Sequence, residues 1–215
     1  MQSSAPERIR AEFAHVVRDA CLALHRDHAE PDPSTGKRVS FGLVRMANVD
    51  PIFDVARALH TLGAPPGTRI HLCVYHARFP LLQRSAIEAM LDATLDRRDA
   101  QAVWQQPEVR GALDATGAEQ DHLFIVLASP VCEVGRDWDA DWAVAEPSSM
   151  RSLIQLAGRV QRHRRKPPAQ PNLLILDSNL RHFEQRDSRA PVFTRPGFEK
   201  TTEDHRFLLT SHSLS

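Results

Sequence analysis

Between residues 39 and 176, short apolar runs rich in β-branched residues alternate with longer stretches of helical spacing, and this alternation restricts the fold more than any other feature. VSFGLVRM (39–46), RIHLCVY (69–75), HLFIVLA (122–128), WAVA (142–145) and NLLIL (172–176) have the length and composition of strands. PIFDVARALHTL (51–62), LLQRSAIEAMLDATLDRR (81–98) and the stretch from 149 to 165 have helical spacing. Strand and helix units in alternation imply βαβ crossovers. The fold class is therefore α/β, a mostly parallel β-sheet with helices on both faces. In such sheets ligands bind outside the carboxyl ends of the strands.

The flanks read differently. Ile9, Phe13, Val16, Val17, Ala20 and Leu24 are spaced as on a helix, and EPDPSTGK (30–37) then breaks the pattern with two prolines and a glycine. Residues 1–36 are expected to be a helical lead-in and linker, and 37–184 the domain proper. Residues 185–215 are expected to be an irregular polar tail running toward a C-terminal region elsewhere in a larger protein. Residues 99–120 are either a helical pair or a surface insertion.

Lysine plus arginine equals aspartate plus glutamate at 27 each, so net charge excludes nothing; its distribution is more informative. From 133 to 146 there are five carboxylates and one arginine, and from 151 to 166 six Lys/Arg and no carboxylate. Opposed blocks point to a site, although two solvated faces would look the same. Cys21, Cys73 and Cys132 are scattered and odd in number, which suits reduced thiols in the cytoplasm. The longest apolar run, 123–128, is far below the ~20 residues of a membrane helix. The polar start MQSSAPERIRAEF has no secretory signal pattern. The eleven histidines show no metal-ligand spacing, so no metal site is expected in this chain.

The helix expected over 149–165 starts at a serine N-cap, and Met150, Leu153, Ile154, Ala157 and Val160 form its apolar side. At about 100° per residue, Arg159 falls about 40° to one side of Gln155 and Arg162 about 20° to the other. All three would share one polar face, kept low by Gly158 at a helix cost of about 1 kcal/mol. Two guanidinium forks one turn apart suit a polyphosphate; a solvated basic helix would read alike. Just upstream, SPVCEVGRDWD carries Gly135 and the carboxylates Glu133, Asp137 and Asp139 off the end of a buried strand. A carboxylate placed there can accept ribose hydroxyls.

These strings resemble superfamily 2 helicases. QLAGRVQR (155–162) is similar to their sixth motif, Q-x-x-G-R-x-x-R, and SPVCEVGRD (129–137) to their fifth. The resemblance implies the second RecA-like motor domain. Arg159 and Arg162 would reach the γ-phosphate of ATP, with Gln155, Gly135 and Asp137 also at the nucleotide. Ser129 would touch the nucleic-acid backbone where most relatives have threonine, and the Ala47-Asn48 turn would join it.

The longer string CEVGRDWDADWAVAEPSSMRSLIQLAGRVQRHRR (132–165), with RVSFGLVRMANVDP, YHARFPLLQRSAIE and FTRPGFE, resembles the helicase-nuclease of type I CRISPR interference, its I-F form above all. Gln161 and Trp138 depart from the pattern. That likeness implies an ATP-driven translocase on single-stranded DNA, loaded at a target by the Cascade surveillance complex and feeding a nuclease domain. The only Gly-Lys, in STGKRV (34–39), lacks the P-loop frame. No D-E-x-H magnesium motif and no His-Asp dipeptide occurs. ATP and Mg2+ would thus be held mainly by the first motor domain. HRDHAEPD (25–32) has a kinase-like look without the asparagine or context. The alternatives are a superfamily 2 motor acting on RNA, or a catalytically silent interaction module.

Overall fold

A computed structural model describes residues 5–115, 117–164 and 167–184. Helix α1 (Ala5–His28) is followed by the short strand β1 (Glu30–Pro31), β2 (Arg38–Arg45), α2 (Ile52–Leu62), β3 (Thr68–Tyr75) and α3 (Leu81–Thr94). A 3-10 turn (Ala102–Gln105) and α4 (Pro107–Asp114) lead to β4 (Asp121–Ala128). A second 3-10 turn (Pro130–Glu133), β5 (Trp142–Ala145), α5 (Met150–Ala157), β6 (Leu173–Ile175) and α6 (Leu180–Glu184) complete the chain.

The sheet runs β3-β4-β2-β5-β6, all parallel, with β1 antiparallel to the start of β2. This is the expected α/β, RecA-like architecture. The central strands β2, β4 and β5 are largely apolar because both sides are covered. Along β4, Leu123, Ile125 and Leu127 face a core built with α1 and α2, while Val126 and Ala128 face one built with α3, α4 and α5. Gly42 in β2 lies where a Cβ would come within 2.1 Å of the Trp142 ring, so the indole occupies the space a side chain would need.

Helix α1, expected as a helical lead-in, packs on the sheet: Phe13, Ala14, Val17, Cys21 and Leu24 are core residues beside α2 and the strands. Within 99–120, where a helical pair and a surface insertion were both open, Ala102–Gln105 and Pro107–Asp114 are helical, with Val103, Trp104, Val109 and Leu113 buried. The tail expected over 185–215, with its FTRPGFE string, lies outside the described residues.

Candidate functional site

The carboxyl ends of β3, β4 and β2 meet at one edge. Met46 N–H donates to the Ala128 carbonyl, and Ser129 N–H to that of Tyr75, at 2.8 and 3.1 Å. Ser129 and the Ala47-Asn48 turn are therefore neighbours, as a shared nucleic-acid contact requires. However, Ser129 is only 2% exposed, and the Ala47 N–H is already taken by the Glu146 carboxylate. Arg78 pairs with Asp50 at that edge, joining the turn after β3 to the turn after β2. His76 stacks on Phe79 beside them, its ring centroid 4.2 Å away.

The predicted long helix over 149–165 is corrected. Ser149 caps it as expected, its hydroxyl accepting from Ser152 N–H at 3.1 Å, but α5 ends at Ala157. Beyond Gly158 the chain pairs with the segment before β5: Ala140 N–H donates to the Arg159 carbonyl at 2.8 Å, and Gln161 N–H to that of Ala140 at 2.9 Å. Gln161 adopts φ 47° to make the turn. This long-range pairing outcompetes the helix. The buried side of α5 is Ser152, Leu153 and Leu156, whereas Met150 and Ile154 point outward, Ile154 65% exposed. Gln155, Arg159 and Arg162 consequently share no helical face. Gln155 lies exposed on α5, and both arginines follow it on the bridged segment.

The two arginines have opposite surroundings. Arg159 is 8% exposed and donates from Nη2 to the Glu133 carbonyl at 2.9 Å. Its Nε is buried with no hydrogen-bond partner among the described residues. Burial, and then the charge of Arg162, push its ionisation down. Arg162 is exposed; its Nε meets Asp137 Oδ1 at 2.6 Å. Asp137 is also approached by Arg98 and by His163 Nε2. The His163 hydrogen bond, then Arg162 and Arg98, hold its carboxyl below the usual range. Gly135, at φ 67°, makes the left-handed turn that carries the chain from Glu133 to Asp137.

Beneath this surface lies a charged layer in which Glu133 and Asp139 meet arginines that no motif marks. Arg45, wholly buried at the end of β2, meets Glu133 Oε1 at 2.9 Å. Burial pushes the Glu133 carboxyl up and the Arg45 guanidinium down. Further in, Asp141 Oδ2 accepts the Phe41 N–H, and its Oδ1 meets Arg164 at 2.6 Å and Arg97 at 3.6 Å. Arg164 also reaches Asp139. The signal was available: a lone arginine in the apolar run VSFGLVRM demands a buried partner. Trp138, a departure from the motif pattern, is a core residue whose indole N–H meets Asp92 at 2.6 Å. His25, in the kinase-like string, is a core hydrogen-bonder to Ser40 and Asp121.

Chemically, the surface offers one exposed and one buried guanidinium beside a carboxylate. That set suits phosphate and ribose oxygens. Among the described residues no three His, Cys, Asp or Glu converge as a metal cluster would need. No described helix is long and apolar enough to cross a membrane.

Comparison with known proteins gives concordant results. Residues 38–165 match the family described as CRISPR-associated nuclease/helicase Cas3, C-terminal. A Pseudomonas aeruginosa protein, CRISPR-associated nuclease/helicase Cas3 subtype I-F/YPEST, is 53% identical over 205 residues, 94% of this chain and 18% of its own length. Its namesake from Pectobacterium atrosepticum is 45% identical over 204 residues, with the same coverages. Among solved structures, T. fusca Cas3 with ATP superposes with a TM-score of 0.54 at 23% identity, covering 85% of this chain and 18% of that one. The same protein with AMPPNP gives 0.55 at 22%, covering 85% and 17%. The chain thus spans under a fifth of the length of the curated relatives it matches.

Proposed function

This chain belongs to the Cas3 C-terminal family, and from that premise we propose that it is the second motor domain of an ATP-driven, single-stranded-DNA translocase acting in CRISPR interference in the cytoplasm. Arg159 and Arg162 face the γ-phosphate of ATP; Asp137, Gly135 and Gln155 border the nucleotide, and Ser129 with Ala47 and Asn48 borders the DNA backbone. The observation that carries this reading is the convergence of the fifth- and sixth-motif segments. Arg162 and Asp137 form an ion pair, and Arg159 is bound to the same turn.

ATP and Mg2+ are held mainly by a first motor domain elsewhere in the protein, because this chain has no P-loop or D-E-x-H string. When bound there, ATP supplies the free energy of hydrolysis. The chain's own contribution is to place two fixed positive charges where negative charge develops on the transferring phosphoryl group. A nuclease domain of the same protein and the Cascade surveillance complex are the remaining partners. Solved Cas3 with ATP, AMPPNP and ADP supports the nucleotide part of this reading.

The test is steady-state ATP turnover by the full-length protein with single-stranded DNA. Arg159→Ala and Arg162→Ala should each lower kcat by about 10³–10⁵, the range for arginine fingers. Lysine should rescue poorly because it lacks the fork. Arg162→Ala should melt as wild type does, since its ion pair is exposed. Near-normal turnover in both variants would show this segment to be scaffolding. Stimulation by RNA in place of DNA would move the protein to the other kind of motor.

A further inference from the structure

We propose that Arg45 and Glu133 are positioning residues that set the place of the Arg159 guanidinium; the proposal rests on the reading that Arg159 meets phosphate. Arg45 ends a strand whose buried neighbours Phe41, Leu43 and Val44 are apolar. Exchanging a buried ion pair for apolar residues of similar volume is often neutral or stabilising, so stability alone does not explain a guanidinium there. What an apolar residue could not supply is direction.

Arg45 reaches three segments at once. Its Nε meets Glu133 Oε1 at 2.9 Å, and its Nη1 donates to the Glu146 carbonyl at 2.5 Å and to Ser148 Oγ at 3.0 Å. Glu133 then divides its own contacts. Carboxylate Oε2 accepts from Ser152 Oγ at 2.8 Å, at the start of α5, and the backbone carbonyl accepts from Arg159 Nη2 at 2.9 Å, just past its end. The helix and the guanidinium that follows it are therefore both hydrogen-bonded to one residue, Glu133, which an ion-pair contact ties to Arg45 of β2. That contact is close but not aligned as a hydrogen bond, so the directional bonds of Arg45 are those from Nη1. Movement of Arg159 away from Glu133 breaks the bond at Nη2. Side chains that hold a reacting group in register matter at this scale, since a displacement of about 1 Å can lower a rate about 100-fold.

The experiment uses the full-length protein and the double variant Arg45→Met/Glu133→Leu, with Arg159→Ala in parallel. The double variant should melt close to wild type and bind single-stranded DNA equally well. Its kcat for ATP should fall about 100-fold while KM changes little. A stable double variant with wild-type kcat, beside an inactive Arg159→Ala, overturns the positioning role and leaves the proposed function standing. An active Arg159→Ala overturns the phosphate reading, and this proposal with it. Should the double variant fail to fold, Ser152→Ala decides. It removes only the hydroxyl that ties α5 to Glu133 and should lower kcat about tenfold, while Ser152→Thr, which keeps the hydroxyl, restores turnover. An unchanged kcat in Ser152→Ala overturns the proposal.

Discussion

The two sides of the sheet bury polar groups in different ways. On the α1/α2 side the buried polar cluster is uncharged at its centre: Trp142 Nε1 donates to Ser40 Oγ at 3.0 Å, and Ser40 meets His25 Nδ1 at 2.7 Å. His25 Nε2 reaches Asp121 at 3.0 Å, the half-exposed end of the chain. On the α3/α5 side buried Arg45, Glu133, Arg97, Asp139 and Asp141 stand in ion pairs, and buried Arg159 donates to a carbonyl. Neutral hydrogen bonds stabilise modestly and tolerate small shifts. Desolvated ions are costly unless their geometry is kept. Both sides carry an apolar core; the ion pairs of the α3/α5 side add fixed geometry beneath the segment with Arg159 and Arg162.

That contrast can be broken most directly at Asp141. Asp141→Ala takes one carboxylate from Arg97 and Arg164, leaving Glu30 and Asp139 as their partners, and removes the acceptor for the Phe41 N–H, so urea unfolding should show a loss of about 3–5 kcal/mol. Ser40→Ala on the opposite side takes away a neutral hub and should cost about 1–3 kcal/mol. Equal losses at the two positions would mean that charge is not what separates the two sides.

A smaller effect concerns protons. Burial, and then the neighbouring His122, lower the His71 pKa from 6.5 to about 4, and burial also lowers His25 on the other side. A histidine that protonates less readily folded than unfolded contributes stability above its unfolded value. That contribution is lost as pH falls through the window from 6.5 toward 4. Thermal melting should therefore drop across that window, and His71→Gln should flatten the slope. A slope indifferent to the substitution would assign the acid sensitivity to carboxylates and leave the two sides alike in this respect.

The central strands were readable because they are covered on both faces and so largely apolar; the runs 39–46, 69–75 and 122–128 lie within a residue of β2, β3 and β4. The two-residue β1 has no such signature. α1 showed its helical spacing but not its destination, since the proline-bearing break after it looks alike in a linker and in a tight return to the sheet. Arg159, Arg162 and Asp137 were found by motif, and the structure brings them to one turn. Their local shape was not legible, because α5 is ended by Ala140, a residue 17 positions before Ala157 with no mark of its role. Arg45 belongs to no motif, and Glu133, visible as one of the carboxylates after β4, carried no sign that it faces inward to Arg45 rather than outward to a ligand.

The pairing of Ala140 with the segment around Val160 also bears on reach. Two main-chain bonds, at the Arg159 carbonyl and the Gln161 N–H, moor that segment to the chain before β5 on both sides of Val160. From one mooring the two side chains part: Arg159 runs inward to the Glu133 carbonyl, and Arg162 runs outward to Asp137.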